Sequence, residues 1–397
     1  MRKLTADYIF TASGAPLRKQ VIVVDQTGKI LSIDPLDQHD PASVESHRGV
    51  LIPGFINTHC HLELSHMKGK VATGTKLIPF ITNVVQFRDT NQEEILAAID
   101  QADQEMYEGG IVAVGDISNK LDTAARKAKS PIRYYTFVEM FDFLQDAAAE
   151  QCVANHLPIY EGQAQAGGNR RSAVPHAPYS VSKELFRRLN ELNKGQGTVS
   201  IHNQETPPEN ELFEHKTGDF LPFYEGFNIP LDLFSANGKT AIHYALEHMD
   251  PRCRALFVHN TLSTPADIAA AQAWAQNGAY WATCANANLY IENRLPNYQH
   301  FLDANAKMTV GTDSLTSNWQ LSVLEELKTI HRFQSYVPFA TLIQWATLNG
   351  AEALQFDEDL GSIEVGKTPG INLLTGLAGS GPDDFRFVVK TEVTRLV

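Results

Sequence analysis

The sequence predicts an α/β protein in which a (β/α)8 TIM barrel carries a small β-sandwich domain. From residue 53 onward, short apolar runs alternate with longer stretches of helical character, which is the pattern of parallel strands joined by crossover helices. Before residue 53 the apolar runs are strand-like, and turn signals such as Ser13-Gly14 and Thr27-Gly28 separate them. The two hydrophobic patterns, one before and one after residue 53, indicate two structural units.

Eight candidate strands can be counted in the central part of the chain, and eight is the number that closes a TIM barrel. They lie at residues 54–61, 111–116, 134–139, 173–177, 198–203, 255–260, 279–284 and 307–312. Helical stretches between them, such as 92–108, 182–193 and 264–277, are long enough to return the chain to the other end of a barrel.

The last part of the chain returns to β character. After two helical stretches at 322–333 and 339–354, residues 361–367 begin another β-like run. We therefore expect residues 1–52 and 358–397 to build the small β-sandwich domain together, and residues 53–357 to form the barrel.

Composition excludes several classes of partner. With 33 basic and 46 acidic residues the net charge is −13, so a phosphate backbone would be repelled and nucleic acid is not an expected partner. The four cysteines follow no paired spacing, so no disulfide framework is expected. Asp7 interrupts the charged opening before any apolar stretch of signal-peptide length. No run approaches the roughly 20 apolar residues that a membrane-spanning helix requires. We expect a soluble cytoplasmic protein with a small-molecule substrate and no membrane partner, and leave a homodimer open.

Polar residues recur where the predicted strands end, which is where barrel enzymes carry their catalytic groups. His59 and His61 are two apart on the first strand, so both side chains point the same way. With His202 and Asp313 from the fifth and eighth strands they form a set suited to one divalent metal, with zinc first and Fe²⁺ or Mn²⁺ as alternatives. The other interpretation is a pair of hydrogen-bonded histidines and an Asp313 that only caps the following helix.

The run Pro53-Gly54-Phe55-Ile56-Asn57-Thr58-His59-Cys60-His61 resembles the signature of the amidohydrolase superfamily, and the later strand ends continue the match in order. The similarity is to its mononuclear branch of cytosine deaminases and chlorohydrolase-like enzymes. It implies that the four residues named above bind the metal. Binuclear members carry a carboxylated lysine on a middle strand, and residues 134–139 and 173–177 contain no lysine, so one metal ion is expected.

The same resemblance implies roles for residues around the metal. Glu205 follows His202 by three residues and would act as the acid and base, His259 would hold the water or steady developing charge, and Asp313 would share in proton transfer. A solvated loop glutamate and a hydrogen-bonded core histidine are the alternatives.

Two further residues are candidates for binding substrate. His176 ends the fourth strand, and enzymes of this branch use a comparable histidine to contact substrate. Glu63 continues the face of His59 and His61 by the same period of two, and its alternative is a salt bridge at the barrel mouth.

The predicted reaction is hydrolytic deamination of a purine-type base. The stretches 61–65 and 311–318 resemble the aminodeoxyfutalosine deaminases, which act on an adenine-type base in menaquinone biosynthesis. A cyclic amide or chlorinated-ring hydrolase would use the same site, and a non-catalytic scaffold of the same fold is a third, weaker hypothesis. The chain departs from the family at 366–373, where an acidic Asp-Ala-Asp-Leu is usual.

Overall fold

The computed structural model describes residues 1–163 and 165–397, and fourteen strands lie within them. In chain order they are β1 (Arg2–Ile9), β2 (Gln20–Val24), β3 (Ile30–Pro35), β4 (Glu45–Pro53), β5 (Phe55–Cys60), β6 (Ile111–Ser118), β7 (Arg133–Met140), β8 (Arg170–Pro175), β9 (Thr198–Asn203), β10 (Arg254–His259), β11 (Ala279–Thr283), β12 (Lys307–Val310), β13 (Ile371–Thr375) and β14 (Glu392–Arg395).

Helices follow most of the central strands. They are α1 (Leu77–Phe87), α2 (Gln92–Glu108), α3 (Ala124–Lys127), α4 (Ala149–Gly162), α5 (Lys183–Asn193), α6 (Pro207–His215), α7 (Phe220–Gly226), α8 (Ala241–His248), α9 (Pro265–Trp274), α10 (Ala285–Glu292), α11 (Tyr298–Asp303), α12 (Val323–Phe333), α13 (Phe339–Ala346) and α14 (Leu348–Ala353). The described helices include none that is long and apolar enough to cross a bilayer.

Both ends of the chain contribute to one six-stranded sheet, in the order β14-β13-β4-β1-β2-β3. Strand β13 runs antiparallel to β4, with Ile371 opposite Pro53 and Leu373 opposite Leu51. The sheet buries its own apolar cluster, which includes Leu4, Ile22 and Leu51. Strands from both ends of the chain therefore share this sheet, while the division into a small β-sandwich domain and a barrel, with boundaries at residues 52 and 358, stays a prediction.

Eight parallel strands form the rest of the framework, in two sheets of the orders β5-β6-β7-β8 and β9-β10-β11-β12. These are the eight strands predicted from the sequence, which confirms the α/β class. The predicted helix at 339–354 is wrong in one respect, because it is two helices that meet at Thr347. The backbone there is non-helical, with φ −135° and ψ −88°.

The edges of the two parallel sheets are joined by hydrogen bonds on both sides. The backbone N–H of His202 donates to the carbonyl of His176 at 2.9 Å, next to β8 and β9. On the other side, the N–H groups of Thr312 and Asp313 donate to the carbonyl of His59 at 2.9 and 3.0 Å. The result is a TIM-barrel-like fold, and candidate site residues lie where the edges of the two sheets meet.

A buried ion pair supports the backbone just after the end of β5. Lys127 Nζ lies 2.5 Å from Asp116 Oδ2, and both side chains are buried. Lys127 also donates to the hydroxyls of Ser118 and Thr136, while Asp116 accepts the backbone N–H of Leu62 at 2.8 Å. Because Leu62 follows His61 directly, the pair fixes the backbone beside a candidate ligand.

Lys127→Met should lower the free energy of unfolding by about 3–5 kcal/mol, because it leaves the carboxylate of Asp116 buried without its cation. Chemical denaturation of the two proteins measures this difference. Lys129→Met, which changes an exposed lysine two residues away, is the control and should shift stability by less than about 0.5 kcal/mol. Equal stability of the Lys127 variant and wild type would contradict the prediction.

Candidate metal centre and active site

Four side chains converge where β5, β9 and β12 end. His59 Nε2 lies 3.2 Å from His61 Nε2, which lies 3.4 Å from His202 Nε2. Asp313 Oδ1 is 3.7 Å from His59 Nε2 and 3.4 Å from His61 Nε2. Ligand atoms held by one zinc ion at about 2.0–2.1 Å in tetrahedral geometry lie about 3.3 Å apart. The spacing and donor types therefore fit one metal ion.

The protonation of these groups suits a cation. Burial lowers the pKa of His59 and His202 and lowers the pKa of His61 to about 3, so the imidazoles are neutral and keep a free lone pair. Burial acts against ionisation of Asp313, but its hydrogen bond to His59 and the nearby His61 lower the pKa of this carboxyl overall. Three neutral imidazoles and a carboxylate are a set of metal ligands.

Hydrogen bonds orient two of the four side chains. His202 Nδ1 lies 2.8 Å from the carbonyl oxygen of His176, so Nδ1–H donates there and Nε2 turns to the centre. Ser317 Oγ donates to Asp313 Oδ2 at 2.6 Å, which leaves Oδ1 for the centre.

Glu205 and His259 lie next to this cluster. Glu205 Oε2 is 3.6 Å from His259 Nε2, while Glu205 Oε1 is buried without a hydrogen-bond partner in the described residues. Burial, with Asp313 nearby, raises the pKa of Glu205 well above its usual value. Glu209 accepts the backbone N–H groups of Gln204 and Glu205 at 2.9 and 3.0 Å and so holds this turn in place.

Asn288, on α10, orients His259. Its Oδ1 lies 2.8 Å from His259 Nδ1, so the histidine donates there and Nε2 faces Glu205.

Asn288→Ala should lower kcat by about 10- to 100-fold with unchanged metal content, because the imidazole of His259 loses the acceptor that fixes its orientation. Steady-state kinetics with metal analysis tests this, with the exposed Asn155→Ala as control. A normal kcat would remove the positioning role.

The backbone is strained at these strand ends. Gln204, His259, Asn260 and Asp313 have φ values of 47°, 73°, 59° and 57°, in the left-handed region that residues other than glycine seldom adopt. Such strain persists where surrounding contacts enforce it, and it is concentrated at functional sites. These four positions lie at or just after the ends of β9, β10 and β12, where the candidate site also lies.

On the other side of His202 lie His176 and a residue that sequence reasoning missed, Glu139. His176 Nδ1 is 2.7 Å from Ser180 Oγ, and Glu139 Oε1 is 3.4 Å from His202 Nδ1. Glu139 Oε1 has no hydrogen-bond partner among the described residues, and burial together with Glu63 raises the pKa of Glu139 to about 8. The signal in the sequence was its position as the last residue of the third predicted strand.

Glu63 makes the salt bridge that was the alternative to substrate binding. Its Oε1 is 3.3 Å from Arg88 Nη2, and its Oε2 accepts the backbone N–H groups of Asn119 and Lys120 at 2.9 and 3.2 Å. Substrate binding by Glu63 and His176 stays a prediction, as do the roles of the metal ligands, Glu205 and His259.

The polar cluster forms the floor of a pocket with apolar walls. Glu63, Glu139, His176, Glu205 and His259 all face it. Its walls come from α1 and from α7 with the residue after it, through Leu77, Phe80, Ile81, Val84, Phe223, Tyr224 and Phe227. Apolar walls around a few converging polar groups are typical of small-molecule sites.

A model of the amidohydrolase family matches residues 50–394. The chain belongs to the amidohydrolase family. This confirms the resemblance seen in the sequence, and a member of this metal-dependent family is a hydrolase. Strands β7 and β8 of this amidohydrolase, the middle strands on which binuclear members carry their carboxylated lysine, contain no lysine. The nearby Lys127 is paired with Asp116.

Curated amidohydrolase relatives include several deaminases. The chain is 28% identical to an adenosine deaminase of Helicobacter pylori over 325 residues, covering 80% of this chain and 77% of that protein. It is 27% identical to an aminodeoxyfutalosine deaminase of Nitratiruptor over 383 residues, covering 91% and 89%. A 5'-deoxyadenosine deaminase of Methanococcus maripaludis is 24% identical, with coverage of 92% and 83%.

Solved amidohydrolase structures share the fold. Helicobacter pylori aminofutalosine deaminase in complex with methylthio-coformycin superposes with a TM-score of 0.78 at 22% identity, covering 96% of this chain and 94% of that one. Atrazine chlorohydrolase of Arthrobacter aurescens, complexed with zinc, has a TM-score of 0.72 at 17% identity, covering 94% and 86%.

Proposed function

We propose that this amidohydrolase is a metal-dependent deaminase that replaces the amine of an adenine-type base in a nucleoside with oxygen and releases ammonia. The observation that carries the proposal is Glu205, which lies beside the converging metal ligands. Its buried Oε1 has no hydrogen-bond partner among the described residues, and its Oε2 is 3.6 Å from His259 Nε2. A carboxylate in that position can move protons between water and substrate. The three curated relatives described above, all named deaminases of adenine nucleosides, support the substrate class.

His59, His61, His202 and Asp313 would hold the metal ion. When bound, a divalent cation here would lower the pKa of a coordinated water to about 7. Zinc fits the ligand set best, and structures of a Xanthomonas campestris adenosine deaminase and of atrazine chlorohydrolase contain it. Iron and manganese remain alternatives for the same ligands.

The side chains then divide the proton transfers. Glu205 takes one proton from the attacking water and passes it to the ring nitrogen next to the amine-bearing carbon, while the water oxygen bonds to that carbon. Asp313 takes the second proton and returns it to the amine, which leaves as ammonia when its bond to carbon breaks. His259, whose Nδ1–H donates to Asn288, keeps the lone pair of Nε2 free to accept a hydrogen bond from the attacking water and so to hold it in place.

A finer description of the fold is part of this proposal. The hydrogen bonds between His202 and His176, and from Thr312 and Asp313 to His59, support a single closed eight-stranded barrel. In that arrangement all the proposed functional residues face the mouth at the carboxyl ends of the strands. We assign residues 53–357 to this barrel and 1–52 with 358–397 to the small domain.

A second candidate activity is hydrolysis of a cyclic amide or a chlorinated ring at the same centre. The likeness to atrazine chlorohydrolase, at 17% identity, concerns the fold, so this activity has weaker support than deamination.

Ammonia release decides between the candidates. The zinc-loaded protein is assayed against adenosine, 5'-deoxyadenosine, aminodeoxyfutalosine, guanine, cytosine, a cyclic amide and a chlorotriazine, with the Glu205→Gln variant as the blank. We expect ammonia from adenine nucleosides. Ring opening or chloride release without ammonia from any amine would overturn the proposed reaction and keep the metal centre.

A further inference from the structure

Four carboxylates face the pocket, and their surroundings differ. Asp313 and Glu205 lie at the metal ligands, and both oxygens of Glu63 already accept hydrogen bonds, from Arg88 and from two backbone N–H groups. Glu139 is the exception. Its Oε2 has only Asn119 Nδ2, at 3.5 Å, and its Oε1 is buried with no partner in the described part of the chain.

Glu139 lies close to the reacting centre without belonging to it. It sits beside Nδ1 of His202, whereas the Nε2 atom of that ring faces His61 and the other ligands. The Nδ1–H is already used, because it donates to the carbonyl oxygen of His176. Glu139 therefore offers an acceptor to whatever occupies the pocket one imidazole ring away from the metal ligands.

The chemistry of an adenine nucleoside restricts what can use this acceptor. The base presents ring nitrogens that accept hydrogen bonds, and its exocyclic amine, its only N–H donor, is the group that must lie at the reacting centre. The atom of Glu139 without a partner is a carboxyl oxygen, which accepts hydrogen bonds whether or not the other oxygen carries a proton. The donors that remain are the sugar hydroxyls, and two neighbouring hydroxyls can share the two oxygens of one carboxylate.

We propose that Glu139 binds the ribose hydroxyls of the nucleoside and makes the enzyme select ribonucleosides over deoxyribonucleosides. This inference rests on the proposed deaminase function. It assigns Glu63 a different task, that of holding Arg88 and the Asn119–Lys120 turn against the pocket, through hydrogen bonds that leave no free oxygen for a ligand. The two glutamates differ in this one respect, which makes Glu63 the matched control.

The test compares kcat/KM for adenosine, 2'-deoxyadenosine and 3'-deoxyadenosine, because their ratio cancels general damage to the enzyme. Wild type should favour adenosine by about 10- to 100-fold over the weaker deoxy analogue, as expected for loss of a hydrogen bond to a charged group. Glu139→Gln and the shorter Glu139→Asp should bring the ratio toward 1 with unchanged metal content. Glu63→Gln should alter all three rates together and keep the wild-type ratio.

Several outcomes would overturn the inference. An unchanged ratio in both Glu139 variants, or a ratio lost only in Glu63→Gln, would assign sugar recognition elsewhere. A second metal equivalent in wild type that disappears in Glu139→Gln would make Glu139 a ligand, because Glu139, His176 and His202 can also gather around one ion. A wild type that deaminates all three equally defeats this inference alone, whereas one that deaminates no nucleoside defeats the proposed function and the inference with it.

Discussion

Glu205→Gln should keep its metal and lose most of its turnover, with kcat lower by about 10²- to 10⁴-fold. The carboxamide has nearly the same shape as the carboxyl but cannot take and return a proton. In the wild type Glu205 Oε1 is buried and accepts no hydrogen bond from the described residues, so it is open to the attacking water. Steady-state deamination kinetics and elemental analysis of the same preparation measure both quantities.

The control for this variant is Glu225→Gln, which makes the same chemical change on an exposed residue of α7. It should keep wild-type kcat. Near-normal turnover of Glu205→Gln would show that the acid and base is another residue. Loss of metal from Glu205→Gln would make Glu205 part of the metal-binding set instead.

His59→Ala and Asp313→Ala should each purify with less than the wild-type metal content and with activity lower by more than about 100-fold, because each removes one of four converging ligands. His59 is fully buried, and its Nε2 lies 3.2 Å from His61 Nε2 and 3.7 Å from Asp313 Oδ1, so its loss leaves a gap inside the ligand set. Chelation of the wild-type protein should abolish activity, and added zinc should restore it.

An exposed histidine provides the comparison. His215→Ala, on α6, should keep full metal content and full activity. If the metal content of His59→Ala and Asp313→Ala matched that of this control, the ligand set would be wrong, and the second group, Glu139 with His176 and His202, would be the next candidate.

The sequence was most informative about the barrel strands, for a physical reason. Strands buried on both faces are continuous apolar runs, and a polar residue at the end of such a run is conspicuous. His59, His61, His202 and Asp313 could be found in this way, and the structure brings all four together.

The remainder depended on contacts that spacing does not encode. Glu139 is one acidic residue after an apolar run, with no second group at ligand spacing to mark it. The salt bridge of Glu63 needs Arg88, which reaches it only because of how α1 is placed. The break between α13 and α14 at Thr347 could not be predicted either, because the residues around it form a helical apolar pattern. The hydrogen bond from the Thr347 hydroxyl to the carbonyl of Ile343 is visible only in the structure.

The small sheet places a constraint on how the protein is made. Strand β4 leads within two residues into β5, which carries His59, yet one of the neighbours of β4 in the sheet is β13, which leaves the ribosome only after all the barrel strands. Until then the apolar edge of residues 50–53 is without its later partner, and an unpaired apolar edge promotes self-association. Chains interrupted between residues 314 and 370 should therefore be prone to aggregation, even though every predicted metal ligand has already been synthesised.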